Sequence, residues 1–298
     1  GKTLASNTTA VEGIANTVSD GDYGHLSSFD SDGFSVNDGA ISTIGGYVNH
    51  VGRTYVAWNW KAGGSAVSNS DGSITTSVSA NTKAGFSIVS YTGGGSAGNT
   101  FGHGLDSAPE MIIVKRRETA DNWPVYHSGN TSAPQTDSLF LNKTDATQDL
   151  PYWNDTSPSS TVFTLGSNLI VNKSSETFIA YCFHSVDGYS RVGSYKGNGV
   201  STDGSFVYTG FRPAFILLKT TTASGQNWII FDNKRLGFNG ANRYLLPSST
   251  SSESSNDLLH IFSNGFKPMT NGNGFNGNGQ NYIYLAFAEQ PFKYANAR

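Results

Sequence analysis

The sequence predicts an all-β protein made of tandem β-sandwich-like repeats of about 105 residues, two complete copies preceded by a partial one. Three observations predict it. Blocks of sequence recur at a steady spacing, aromatic runs are broken by turn dipeptides, and no stretch sustains helical periodicity.

The composition suits strands and turns. Of 298 residues, 12% are aromatic, only 14% are charged and 35 are Gly. A disordered chain would carry more charge and fewer aromatics. Asp-Gly occurs six times and Asn-Gly seven times, and both dipeptides supply the positive φ angles of tight hairpin turns. The formal charge is −3 with no basic cluster, which argues against a nucleic-acid partner. No apolar run approaches the ~20 residues of a membrane-spanning helix, so membrane insertion is not expected. Cys182 is the single cysteine. It has no intrachain disulfide partner and reads as a small buried apolar residue.

The repeat sets the element order. Ser90-Tyr-Thr-Gly93 matches Ser194-Tyr-Lys-Gly197, and Pro109-Glu-Met-Ile-Ile-Val-Lys115 matches Pro213-Ala-Phe-Ile-Leu-Leu-Lys219, both 104 residues apart. Asn122-Trp123 matches Asn227-Trp228 at 105, and Ala180 is placed over Ala286 at 106, which makes Trp58, Tyr181 and Phe287 equivalent core aromatics. A partial copy stands in front, with Leu4 to Asn7 matching Leu139 to Asn142. The expected divisions are residues 1–62 (back half of a first copy), 63–83 (a Ser/Thr-rich hairpin or linker), 84–190 (second copy) and 191–298 (third copy). Met111 to Val114 and Phe215 to Leu218 are short apolar runs that read as strands buried on both faces. A half copy leaves strand edges that need covering, either within the chain or by a neighbouring subunit.

Catalytic motifs are lacking. There is no Gly-x-Ser-x-Gly elbow, His-Glu-x-x-His or phosphate-binding loop, and the six histidines are scattered. Glu12, Asp145 and Glu253 recur after the Leu-x-x-Asn strand and read as solvated loop residues. Glycosidase carboxylates meet only in space, so a polysaccharide depolymerase stays as a lesser alternative. Asp30-Ser-Asp-Gly33 lacks the further ligands of a calcium loop and reads as a hairpin turn. No metal or cofactor is expected. Two segments are candidates for ligand contact. Tyr152, Trp153 and Asn154 form a turn-like stretch whose Trp has no counterpart in the last copy. Asn273, Phe275 and Asn276 lie in a Gly/Asn-rich tip. Aromatic faces and side-chain amides of this kind contact sugars; the other reading has the first stretch packing against the neighbouring unit and the second forming a long turn.

Several segments together resemble a family of repeat domains in large virion proteins of marine bacteriophages, notably tail-fibre-like proteins of cyanophages. They are Phe86-Ser-Ile-Val-Ser-Tyr-Thr-Gly93, Gly102-His-Gly-Leu105, Trp153-Asn-Asp-Thr156, Phe206-Val-Tyr-Thr-Gly-Phe-Arg-Pro213 and Ala286-Phe-Ala-Glu289. The resemblance implies a non-enzymatic structural module of the virion, located on an extracellular appendage. It would contact host-surface glycans or support the tip that does. Its partners would be other virion proteins, further copies of itself and host cell-surface polysaccharide. The alternative is a self-assembling fibre or decoration protein that pairs repeats between subunits. The resemblance assigns no catalytic residue.

Overall fold

The computed structural model describes residues 3–13, 24–37, 48–235, 239–240 and 242–291. It is all-β, with 39% strand and 4% helix. Every ladder between its strands is antiparallel.

The front of the chain gives a separate hairpin, β1 (His25–Phe29) and β2 (Phe34–Asn37). Its turn is closed by Asp30, whose carboxylate accepts from the Ser28 and Ser35 hydroxyls at 2.8 and 2.7 Å. A second hairpin follows, β3 (Val67–Asn69) and β4 (Thr76–Asn81), and β4 continues laterally onto β5 (Phe86–Thr92). Next come β6 (Asn99–Gly102), β7 (Met111–Arg116), β8 (Pro124–His127), β9 (Asp137–Phe140), β10 (Gln148–Asp149) and β11 (Val162–Leu165). A single helical turn, α1 (Leu169–Asn172), leads into β12 (Thr177–Phe183). The remainder holds β13 (Ser190–Lys196), β14 (Val207–Tyr208), β15 (Pro213–Thr220), β16 (Ile229–Asp232), β17 (Asn242–Leu245), β18 (Ser254–Asn256), β19 (Leu259–Phe262), β20 (Gly265–Pro268) and β21 (Asn281–Ala288).

Two large sheets organise the molecule. The first has the order β10-β9-β8-β7-β12-β5-β4-β3 and the second β13-β21-β15-β16-β17-β18. From β5 outward and from β13 outward, the strands follow one another in the same way. The register agrees as well. Phe183 lies opposite Met111 and Phe287 opposite Phe215, while Phe178 faces Tyr91 and Tyr282 faces Tyr195. The spacing is therefore 104 residues between β5, β7 and β12 and their partners β13, β15 and β21, and 105 between His127 and Asp232, which lie opposite Met111 and Phe215. This corrects the sequence-based alignment of the last strand. The counterpart of Phe287 is Phe183, and Tyr181 corresponds to Leu285. A two-residue slip keeps every side chain on its face of the sheet, so the apolar pattern alone does not reveal it.

Alternation along β7 and β15 explains why both are buried on two faces. Ile112 and Val114 point into one core with β6 and β11, and Ile216 and Leu218 point into another with β14, β19 and β20. Met111, Ile113, Phe215 and Leu217 point into a third core between the two large sheets, where Trp123, Trp228, Phe183 and Phe287 also lie. Each fully buried large apolar side chain contributes about 1.5–3 kcal/mol relative to exposure, so the sheet-to-sheet core fixes the two sheets against each other. Leu4, Trp58 and Trp60 from the front of the chain join this core. Trp60 sits 5.4 Å from Phe287 and 5.2 Å from Phe215, ring centroid to centroid. Trp58 and Trp60 thus pack within the same chain. Trp58 and Tyr181 are partly buried where they pack against this core, and Phe287 lies within it.

The segment 3–13 runs along the first sheet. Thr8 accepts the Trp123 indole N–H at 3.0 Å, and Thr9 accepts from the Asp121 amide and the Lys115 ammonium. At the second sheet the same positions are capped from the end of β9 and the turn after it. Phe140 accepts the Trp228 indole N–H at 2.8 Å and Thr144 accepts the Gln226 amide at 3.2 Å.

Candidate functional site

The six residues singled out in the sequence do not form one site. Tyr152 and Trp153 belong to the core between the first large sheet and β6–β11, whereas Phe275 packs against the core beside β14–β20. Trp153 is 1% exposed; its indole donates to the Asp137 carbonyl at 3.1 Å and its ring meets Tyr126 edge-on at 5.6 Å. Tyr152 is buried against Phe140. Neither ring has an open face for a sugar. Asn154 turns the chain at φ 52°, and its carbonyl accepts from Thr156.

The Gly/Asn-rich tip is internally engaged. Asn276 is fully buried. Its Oδ1 accepts the Asn198 amide at 3.0 Å, and its Nδ2 donates to Asn198 Oδ1 at 2.8 Å and to the Val200 carbonyl at 3.0 Å. Phe275 is half-buried and its carbonyl accepts from Tyr195, while the exposed Asn273 accepts the Tyr282 hydroxyl through its carbonyl. The missed signal was the spacing itself. Asn172 lies 104 residues before Asn276 and is likewise buried.

The three carboxylates that recur after the Leu-x-x-Asn strand are paired with cations, Asp145 with Lys143 at 3.8 Å. Glu12 bonds Arg117 at 2.7 Å, and Glu253 bridges Arg235 and Arg243 at 2.9 and 3.0 Å. Burial pushes the Cys182 thiol up to about 12, far from a reactive thiolate. Among the described residues, no group of three or more His, Cys, Asp or Glu side chains could hold a metal ion.

An open concavity lies elsewhere. A groove of about 410 Å³ runs along β13, between the Ser128–Gly129 turn on one side and Phe206, Val207 and Tyr208 on the other. Arg191, Tyr195 and Tyr284 line it, and Tyr208 and Phe206 are 64% and 46% exposed. Exposed aromatics rimmed by polar groups mark contact surfaces. β13 is the outer strand of its sheet. Its odd-numbered residues bond β21, so the even ones turn their backbone outward. Ser190 is closed by Val186, the Val192 amide by the Ser185 hydroxyl at 3.0 Å, and the Lys196 carbonyl by the Ser205 hydroxyl at 2.7 Å. Ser194, exposed between them, presents its amide and carbonyl to the groove.

No curated protein and no solved structure matches the chain. One family model does, over residues 1–291, and it describes a domain of unknown function, DUF7483. The chain belongs to the DUF7483 family. The match runs through the front segment and both large sheets, so the DUF7483 unit embraces all of them together.

Proposed function

We propose that this DUF7483 chain is a non-enzymatic structural module of a virion appendage, tail-fibre-like, built from two copies of one β-sandwich unit with a partial copy in front. The observation that carries the reading is the agreement of strand order and register at a spacing of 104–106 residues, together with repeated buried polar locks. Lys115 and Lys219, Asn172 and Asn276, and Trp123 and Trp228 recur in pairs, and each is buried and bonded to backbone carbonyls or amides. Polar groups that recur this way hold loops and strands in place, and a scaffold of this kind leaves contacts to exposed loops and edges. The module then supports glycan contact rather than making it through Tyr152, Trp153 or Asn276. The test has two arms. Immunogold labelling of intact phage particles should mark the tail, and incubation with host polysaccharide should release no reducing ends. Absence from particles overturns the virion assignment, and released reducing ends overturn the non-enzymatic one.

A further inference from the structure

The β3–β4 hairpin covers in the first sheet a surface whose counterpart in the second sheet carries exposed aromatic rings. In the first sheet Val78 lies opposite Val89, the Ile74 amide donates to the Thr100 carbonyl at 3.0 Å, and the Thr76 hydroxyl donates to the Gly102 carbonyl at 2.9 Å. A Cβ on Gly102 would overlap the Asn69 carboxamide oxygen, so no side chain fits there beneath the hairpin. Val207 pairs with Phe266 as Phe101 pairs with Phe163, which sets Phe206 and Tyr208 at the positions of Thr100 and Gly102. On β13, Arg191 and Gly193 take the positions of Ser87 and Val89. Phe206 and Tyr208 are 46% and 64% exposed. Exposed aromatic rings grouped at one rim mark a contact surface, and these stand where the hairpin is missing. Gly193 opens the floor between them and Arg191. A Cβ there would lie 2.6 Å from the Tyr284 hydroxyl, and the first sheet has Ala180 in the place of Tyr284. That hydroxyl stands 3.5 Å from the Tyr208 carbonyl. Burial raises its pKa, and the Arg191 guanidinium beside it opposes the rise. The groove volume of about 410 Å³ falls in the range of small-ligand sites, roughly 300–1,000 Å³.

We propose that this groove binds an acidic polysaccharide, with sugar rings against Tyr208 and Phe206 and a sugar carboxylate on Arg191. This rests on the reading of the chain as a module that serves glycan contact, and it gives that contact a place. Tyrosine offers an apolar ring to the C–H face of a sugar and a polar tip to its hydroxyls. Arg191 is exposed, and a guanidinium matches a carboxylate through two parallel hydrogen bonds. The opposite wall, Ser128 and Gly129, is polar. A peptide strand suits the groove less well. The chain itself already closes the outward backbone of β13 at Ser190, Val192 and Lys196, so the groove offers side chains and the backbone of Ser194 rather than a ladder of rungs.

The probes are tetrasaccharides of galacturonate, guluronate and mannuronate, each paired with its neutral methyl ester and titrated into the full chain by calorimetry. At least one acid should bind, about two- to fivefold tighter than its ester, the range expected of one exposed ion pair. Arg191→Gln should bind acid and ester alike. Tyr208→Ala should weaken binding of the acid about two- to tenfold, the range of one aromatic contact. Both substitutions fall on exposed side chains, so urea midpoints should match the parent's. In the unmodified chain the ring protons of Tyr208 and Phe206 should shift in NMR spectra when the acid is added, a readout independent of how the variants fold. No binding of any acid at about 1 mM, where a Kd tighter than millimolar would show, overturns the proposal. So does binding that leaves those ring protons unshifted, or an ester that binds as tightly as its acid. A doubled mass in light scattering that Tyr208→Ala abolishes, with no sugar bound, would identify a second copy as the occupant and overturn the sugar. The titrations use the purified chain. Sugar binding without label on particles would overturn the virion assignment alone, and labelled particles without sugar binding would overturn the groove alone.

Discussion

Asn276 repeats the hydrogen bonds of Asn172 at a distance of 104 residues. Asn172 Oδ1 accepts the Gly94 amide at 2.8 Å and its Nδ2 donates to the Ser96 carbonyl at 2.9 Å. Asn276 uses the same atoms on Asn198 and Val200, at 3.0 Å each. Beside each amide a tyrosine hydroxyl reaches the preceding residue's carbonyl, Tyr91 to Val171 at 2.8 Å and Tyr195 to Phe275 at 2.6 Å.

The consequence is a stability effect. Asn276→Ala strands the Asn198 amide and the Val200 carbonyl, and losses of this kind cost about 1–3 kcal/mol per group left unsatisfied. Urea denaturation should show a destabilisation of about 2–3 kcal/mol, and Asn172→Ala should give a similar value. A midpoint that does not move would remove the structural role and return Asn276 to the pool of contact residues.

The two buried lysines predict a pH dependence. Burial lowers both ammonium groups, Lys115 and Lys219, to about 8 from 10.5. Between those values the unfolded chain keeps protons that the folded chain has released, so stability rises with pH. Each lysine contributes at most about 1.4 kcal/mol per pH unit. Between pH 8 and 9.5, below the ordinary tyrosine range, the unfolding free energy should climb. In Lys219→Met the slope should fall by about half. Equal slopes in the variant and the parent would refute the assignment.

Part of this was legible in the sequence and part was not. The spacing of Tyr91 and Tyr195, and of Lys115 and Lys219, exposed the shared strand order because backbone pairing and buried aromatics tolerate few alternatives. The last strand was misplaced by two residues, since Phe178-Ile-Ala-Tyr and Tyr284-Leu-Ala-Phe satisfy the same alternation and only the ladder to Met111 and Phe215 decides between them. Trp153, with no second Trp to match it, left a contact surface and a packing role both open, and the Asp137 carbonyl that accepts its indole lets it be buried. The groove on β13 had no sequence signature. It exists because a hairpin precedes β5 and none precedes β13, a difference that shows only when the edges are compared.

Trp153 is a test of the core against the surface. Removing a buried Trp costs about 3–5 kcal/mol. Trp153→Ala should therefore lower the unfolding free energy measured in urea by that amount, with Trp153→Phe losing less, since Phe retains the contact with Tyr126. Unchanged stability together with lost adhesion to host cells would reverse this and place the ring in a contact surface.

His127 makes the junction between the two large sheets sensitive to acid. It ends β8 in the first sheet, and its ring reaches the Tyr284 carbonyl on β21 of the second at 3.2 Å. The Gly129 amide donates to Nδ1 at 3.0 Å, so Nδ1 is the acceptor and the proton of the neutral ring sits on Nε2, directed at Tyr284. Protonating Nδ1 would break the bond from Gly129 and place a charge at a site 1% exposed. Burial accordingly lowers this imidazole to about 4 from 6.5. As pH falls through that interval the unfolded chain takes up the proton first, and folding stability is lost by up to about 3 kcal/mol. His127→Gln keeps a donor toward Tyr284 without a titrating group. Its unfolding free energy should decline less between pH 6.5 and 4 than that of the parent chain, while the two behave alike above pH 7. Parallel curves across the whole range would show that His127 takes no part in the acid response of the junction.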